Sequence, residues 1–464
     1  MRTRRQFLQA AAAGVAVLPA ACSQPAPPPQ QAAPGEGPSR GLLVKNPNHP
    51  QPATLDRLPL EWHKSRATLL QAQAGAKGAD VLWLSDPRNI QYFTGLFCTN
   101  TERPMSVFIP VKELKAHFYY PGLDRDIVET WWHDESEYYF DFQHAQGAFP
   151  NKGVVKIGPP VDLTRWMLEA MAKRGFGNKC FALDRPLTVK GLAGYKAVLP
   201  SATFIEIDDL CMGLRMVKTA EEIAMVQRAM NYSALAHAFA RDYLLQHGTD
   251  ATDWEIQCET QRYLGDVIMR DVKRDGRPHT AVGCGIEVIV KTGLGTAYPH
   301  PNQFHHNKIQ KGNAVSIVCI GAVGGYNGEQ YRAMHIEPVP DLGRRMWEVH
   351  TEAALIQARE SKAGVRCQDV ALAVHEYQVK NGMAKYIYHR PAHGQGIEGH
   401  QPPYIALGDQ TVLVEGMMFS NEPGLYSPED GFGYNHGDNV LVTKARGIQM
   451  GSAPLTKEWC LITL

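Results

Sequence analysis

The chain has 464 residues, with 47 Lys plus Arg balanced by 47 Asp plus Glu, and 44% of it is apolar. That length divides naturally into two or three domains, each large enough to bury a core. A formal net charge of zero supplies no long-range field for nucleic acid or an anionic membrane, so partners held by charge alone are excluded.

In chain order, residues 1–30 read as a twin-arginine export signal: Thr3-Arg4-Arg5-Gln6-Phe7-Leu8 precedes an apolar run from Ala10 to Ala21. That run is too short to span a bilayer. Cys22 follows Leu18-Pro19-Ala20-Ala21, an imperfect lipoprotein box, so either lipidation at Cys22 or simple removal of the signal is compatible with it. The expected location is therefore periplasmic. Residues 31–58, rich in Pro, Gln, Ala and Gly, read as a flexible linker.

A first domain is expected over residues 59–213. Leu60–Ala76 has helical apolar spacing, while Val81–Leu84 and Ser106–Pro110 read as buried strands. This alternation predicts an α/β layer. A seam falls at Leu214-Arg215-Met216-Val217-Lys218-Thr219, opening a second domain over residues 214–464. Thr219 and Glu222 form a capping-box pair ahead of the apolar stripe Ile223, Val226, Met230 and Ala234, and Thr252 with Glu255 repeats the signature. Further helices are expected over 344–359 and 365–380, and strands over 288–292, 314–320, 417–420 and 439–443. Long helices laid on antiparallel strands make an α+β domain. The cysteines after Cys22 are scattered without a Cys-x-x-Cys pair, so a disulfide scaffold is not expected.

The densest chemistry lies in Ala392-His393-Gly394-Gln395-Gly396-Ile397-Glu398-Gly399-His400-Gln401-Pro402-Pro403, followed by Phe419-Ser420-Asn421-Glu422-Pro423-Gly424. Glycines let other backbone, or a substrate, come close to the two imidazoles. A histidine pair facing a carboxylate is an acid/base or metal constellation.

These motifs, with Asn89-Ile90-Gln91-Tyr92-Phe93-Thr94-Gly95 in the first half, resemble the pita-bread family of aminopeptidases, prolidases and creatinase, over roughly residues 60 to 464. The resemblance implies a pita-bread catalytic domain behind a creatinase/prolidase-type N-terminal domain, and a homodimeric hydrolase. The family's two-metal members use two aspartates, one histidine and two glutamates. His393 and Glu422 match the histidine and first glutamate. Cys319 stands at the first aspartate, in Ser316-Ile317-Val318-Cys319-Ile320-Gly321-Ala322. The second aspartate falls on Glu329 when aligned through Arg332, and on Arg332 when aligned through Pro338. Gly437 stands at the last glutamate, in Asn435-His436-Gly437-Asp438-Asn439-Val440, where no side chain can coordinate. A two-metal centre is therefore not expected.

Two readings follow. In the first the site works without a metal cofactor, as in creatinase. His300 is then the base, His393 and His400 bind and polarise, and Glu422 and Glu329 hold a cationic or amide-like group. Imidazole suits this, with an ordinary pKa of about 6.5. In the second, one divalent ion (zinc, iron or manganese) is held by His393, Glu422 and Glu329, with Cys319 or His436 completing the shell. Arg103 aligns with a creatinase arginine that binds substrate carboxylate across a dimer interface, and Arg332 is a further candidate substrate contact. An Xaa-Pro aminopeptidase or prolidase with an altered site, a lyase like the one that cleaves dimethylsulfoniopropionate, and a non-catalytic peptide receptor are the alternatives. His305 and His306 are expected at the surface; His335, His350 and His375 are expected to be structural.

Overall fold

The computed structural model describes residues 57–464, apart from 99–100, 130, 140–144, 147–155, 158–161, 272, 275–276, 279–282 and 301–305. The signal, Cys22, nearly all of the linker and His305 thus lie outside the described residues.

The first half is a six-stranded sheet in the order Glu135–Tyr139, His117–Pro121, Ser106–Pro110, Val81–Leu84, Cys180–Leu183, Thr203–Glu206. Val81–Leu84 pairs antiparallel with Ser106–Pro110 and parallel with Cys180–Leu183. Both flanking faces are covered, so all four residues of Val81–Leu84 are buried, as continuous apolar runs require. The Leu60–Ala76 helix packs on this sheet. Asn89–Gly95 belongs to the Pro87–Thr94 helix, started by the Asp86 side chain and ended by Gly95 in the left-handed conformation.

The second half opens with the helix Ala220–His247, whose Thr219–Glu222 capping box is formed in full. Behind it, Gly285–Thr292, Ala314–Val323 and Tyr326–Ile336 form an antiparallel sheet, joined in parallel by Leu461–Ile462. A five-stranded sheet follows, in the order Gln401–Ile405, Ala392–Gly394, Met418–Asn421, Asp438–Val442, Gly447–Gln449. A bridge between Tyr331 and Gly437 stitches the two sheets together. The helices Asp341–Glu360 and Cys367–Lys380 pack against the second sheet and its loops. This is the expected α+β arrangement, and its seam sits where the reactive residues converge. Among the described residues no helix is long and apolar enough to cross a membrane.

The Ala314–Tyr326 hairpin decides which side chains reach the cleft. Gly324 and Gly325 both have positive φ (58° and 78°) and make its tight turn. The resulting register pairs Cys319 with Gln330 and Ile320 with Glu329. Residues directly opposite share a face, so Cys319 and Glu329 point to opposite sides. The Cys319 side is the helix side: a Cβ on Gly321 would lie 2.4 Å from the Ala229 carbonyl, and one on Gly328 2.4 Å from the Met230 nitrogen.

Candidate active site

His393 sits in the middle of the short strand Ala392–Gly394, between Gln401–Ile405 and Met418–Asn421. The register shifts between His393 and Gly394. A Cβ on Gly394 would lie 2.6 Å from the carbonyls of Gln401 and Pro402, so only glycine lets the returning chain come this close. That return lays the His400 ring over His393, with centroids 3.7 Å apart and planes 14° off parallel. Glu422 follows the neighbouring strand, fixed by its N–H to the Pro391 carbonyl at 2.8 Å. Its Oε1 lies 3.2 Å from His393 Nε2, a charge contact rather than an aligned N–H hydrogen bond. Glu329 comes from the first sheet; it accepts from Gln395 Nε2 at 2.8 Å and from the Tyr331 hydroxyl.

The electrostatics separate these groups. Burial and the nearby Glu422 push the Glu329 carboxyl up to about 7. Burial also works against charge on Glu422, but His393 more than offsets it and holds Glu422 below its ordinary value. Burial alone would lower His393, yet Glu422 and Glu329 raise it. Burial and the His393 charge lower His400. The cluster therefore combines a carboxylate–imidazolium pair, a proton-holding carboxyl and a neutral imidazole, a set able to move protons in both directions near neutral pH. His300 is exposed and near enough for its charge to act on His400. The structure thus gathers His300, His393, His400, Glu422 and Glu329 in one place.

Three expectations need correction. Arg332 does not face the cleft: it is buried on the helix side, paired with Asp438 at 3.1 Å, and it donates to the carbonyls of Gly437 at 2.9 Å and Ala453 at 3.0 Å. It holds the chain together and is not placed to contact substrate. Cys319 belongs to the apolar core, where burial raises its thiol far above the usual range, and it cannot join Glu329 around one ion. His436 stacks on His350 at 4.3 Å and accepts the Ala333 N–H at 3.1 Å; it packs in a buried layer beside Trp347. Arg103 pairs with Glu102 at 2.7 Å on the first domain. His335 and His350 are buried, in line with a structural role, and His306 is exposed.

The residues present do not fit a pair of metal ions. The first-aspartate place faces away from the cleft. The last-glutamate place, Gly437, has no room for a side chain: a Cβ there would lie 2.4 Å from the Tyr331 ring. Among the described residues no three His, Cys, Asp or Glu side chains are arranged to hold an ion.

Lys291 is a site neighbour that spacing does not reveal, because its partners are backbone carbonyls. Its Nζ donates to Tyr298 at 2.9 Å and Pro299 at 3.2 Å, the two residues before His300. Burial alone lowers it from near 10.5 to about 8. The folded value lies below the unfolded one, so between about pH 8 and 10.5 the folded protein binds fewer protons there. Stability from this group is complete above that window and is lost as pH falls through it. Lys291→Met is expected to remove that slope, worth about 3 kcal/mol at most, while lowering turnover by freeing the His300 approach. Urea midpoints of both proteins at pH 7 and pH 10 check it; parallel slopes would show the ammonium is not desolvated.

A cleft of imidazoles and carboxylates at the junction of two antiparallel sheets, behind an α/β domain, defines a pita-bread hydrolase. Comparison with known proteins agrees. Residues 224–444 match metallopeptidase family M24, and residues 66–217 match the creatinase/prolidase N-terminal domain. The Xaa-Pro dipeptidase of Lactobacillus helveticus is 26% identical over 371 residues, covering 79% of this chain and 90% of the relative. The Xaa-Pro dipeptidase of Pyrococcus furiosus is 28% identical over 281 residues, covering 60% and 74%. The solved prolidase from Thermococcus sibiricus superposes with a TM-score of 0.68 at 22% identity, covering 87% of this chain and 99% of that one, a likeness of fold. The chain belongs to the M24 pita-bread superfamily.

Proposed function

We propose that this enzyme hydrolyses a C–N bond in a small carboxylated or peptide-like substrate by metal-independent acid–base chemistry. The observation that carries this reading is the charge-separated cluster of His393, Glu422, Glu329 and His400 beside a ligand place that has no room for a ligand. His300 takes a proton from water as the oxygen attacks the carbon of the scissile bond. When the C–N bond breaks, the same proton passes to the leaving nitrogen. The Glu422–His393 pair binds and polarises the electrophilic group, and Glu329 engages the nitrogen side. Xaa-Pro dipeptides are natural first candidates, given the names of the relatives. Substrate carboxylate would be captured by Arg103 across a homodimer interface, and the twin-arginine signal would deliver the enzyme to the periplasm.

A second reading keeps one divalent ion. It is supported by the relatives, which are Xaa-Pro dipeptidases of a metallopeptidase family, and by the way His393, Glu422 and Glu329 act on one another electrostatically. Elemental analysis of protein purified without added metal or chelator separates the two. Near-zero metal with C–N hydrolysis intact is expected; about one zinc, iron or manganese per chain, required for turnover, would overturn the metal-independent mechanism.

A further inference from the structure

Tyr331 and Gly437 meet in the place where the family resemblance puts the last glutamate ligand. Their backbones exchange two hydrogen bonds, Tyr331 N–H to Gly437 O at 2.9 Å and Gly437 N–H to Tyr331 O at 3.1 Å. The ring is thereby held over the glycine. A Cβ at 437 would lie 2.4, 3.0 and 3.1 Å from Tyr331 Cδ2, Cγ and Cε2, so a side chain and the ring cannot share the space. The tyrosine is 9% exposed, and its hydroxyl donates to Glu329 Oε1.

Taking from the proposed function the placement of Glu329 in the reacting centre, we infer that Tyr331 and Gly437 are a matched exchange that closes the second metal place. The ring fills the volume of the missing ligand side chain, and the phenol supplies Glu329 with the electropositive partner an ion would otherwise provide. A side chain at 437 and the ring at 331 are then mutually exclusive occupants of one place. Changing one alone does not suffice: a glutamate at 437 meets the ring, and a small residue at 331 leaves a gap with no ligand in it. Reverting both restores a carboxylate to the place beside Glu329, and hard carboxylates with one imidazole suit an ion such as Mn²⁺.

The test compares wild type, Tyr331→Ala, Gly437→Glu and the double variant, each equilibrated with Mn²⁺ or Co²⁺, dialysed and analysed for bound metal. The double variant is expected to hold about one ion per chain more than wild type, whatever the wild-type content, and the single variants none extra. A folded double variant with no added ion, or Gly437→Glu alone binding one at wild-type thermal stability, would overturn the inference. Gly437→Ala supplies a metal-free check in case the double variant does not fold. It should lower Tm by several degrees with Tyr331 present and have little effect in a Tyr331→Ala background. Equal losses in both backgrounds would show that the ring does not close the place. Failure to find turnover counts against the proposed hydrolysis and leaves these metal and Tm outcomes unchanged.

Discussion

His300→Ala is expected to lower turnover by about 100- to 10,000-fold, the range of a lost general acid–base group, with affinity for a product-like ligand nearly unchanged. His300 and His400 are the two exposed members of the cluster; His400 is stacked on His393, so His300 is the one whose loss leaves that stack and the His393–Glu422 pair in place. His393 is 1% exposed and tied to Glu422, so its removal would disturb binding and catalysis together. Steady-state kinetics on an Xaa-Pro dipeptide, paired with calorimetric binding of a proline-containing product, gives both numbers. Turnover within a few-fold of wild type would exclude His300 as the base. Absence of turnover in wild type with any C–N substrate, with ligand binding preserved, would favour the competing class, a receptor built on a retired active site.

Much of the frame was legible because its signals are local. Capping at Thr219, apolar period in Leu60–Ala76 and the apolar runs at 81–84 and 314–320 depend on near neighbours in sequence, and the observed bounds fall within a few residues of those read from spacing. His393, His400 and Glu422 were legible for a related reason. Their glycines and prolines mark one compact unit, whose bulge and close strand contacts dictate where the imidazoles go.

What could not be read was the face each strand residue takes. Period two reveals orientation only when one face is wet, and in Tyr326–Ile336 every residue but Asn327 is buried. Glu329, Tyr331 and Arg332 therefore look alike to a pattern, although the first two face the cleft and the third the helix. Cys319 went astray by one residue of hairpin. The two-glycine turn pairs it with Gln330 rather than Glu329, and an offset of one exchanges faces. Tyr331 and Lys291 carry no spacing signal at all, since one answers a glycine 106 positions away and the other two backbone carbonyls.

The reassignment of Arg332 has its own large consequence. With Arg332 and Asp438 at 1% and 2% side-chain exposure, Asp438→Ala is expected to cost about 3–5 kcal/mol of stability, because it leaves a guanidinium buried without its counter-charge. Carbonyls of Tyr331, Gly437, Ala453 and Pro454 would still accept from Arg332, which satisfies its donors without neutralising it. Gln330 would lose its 2.6 Å acceptor as well. Replacing both partners, Arg332→Met with Asp438→Ala, should cost less than the two single losses combined, since an apolar pair of similar volume avoids the stranded charge. Urea unfolding of the four proteins gives the coupling directly. If Asp438→Ala instead unfolds within about 1 kcal/mol of wild type, the range of ordinary surface changes, the backbone carbonyls alone hold the Arg332 charge and Asp438 is not its required partner.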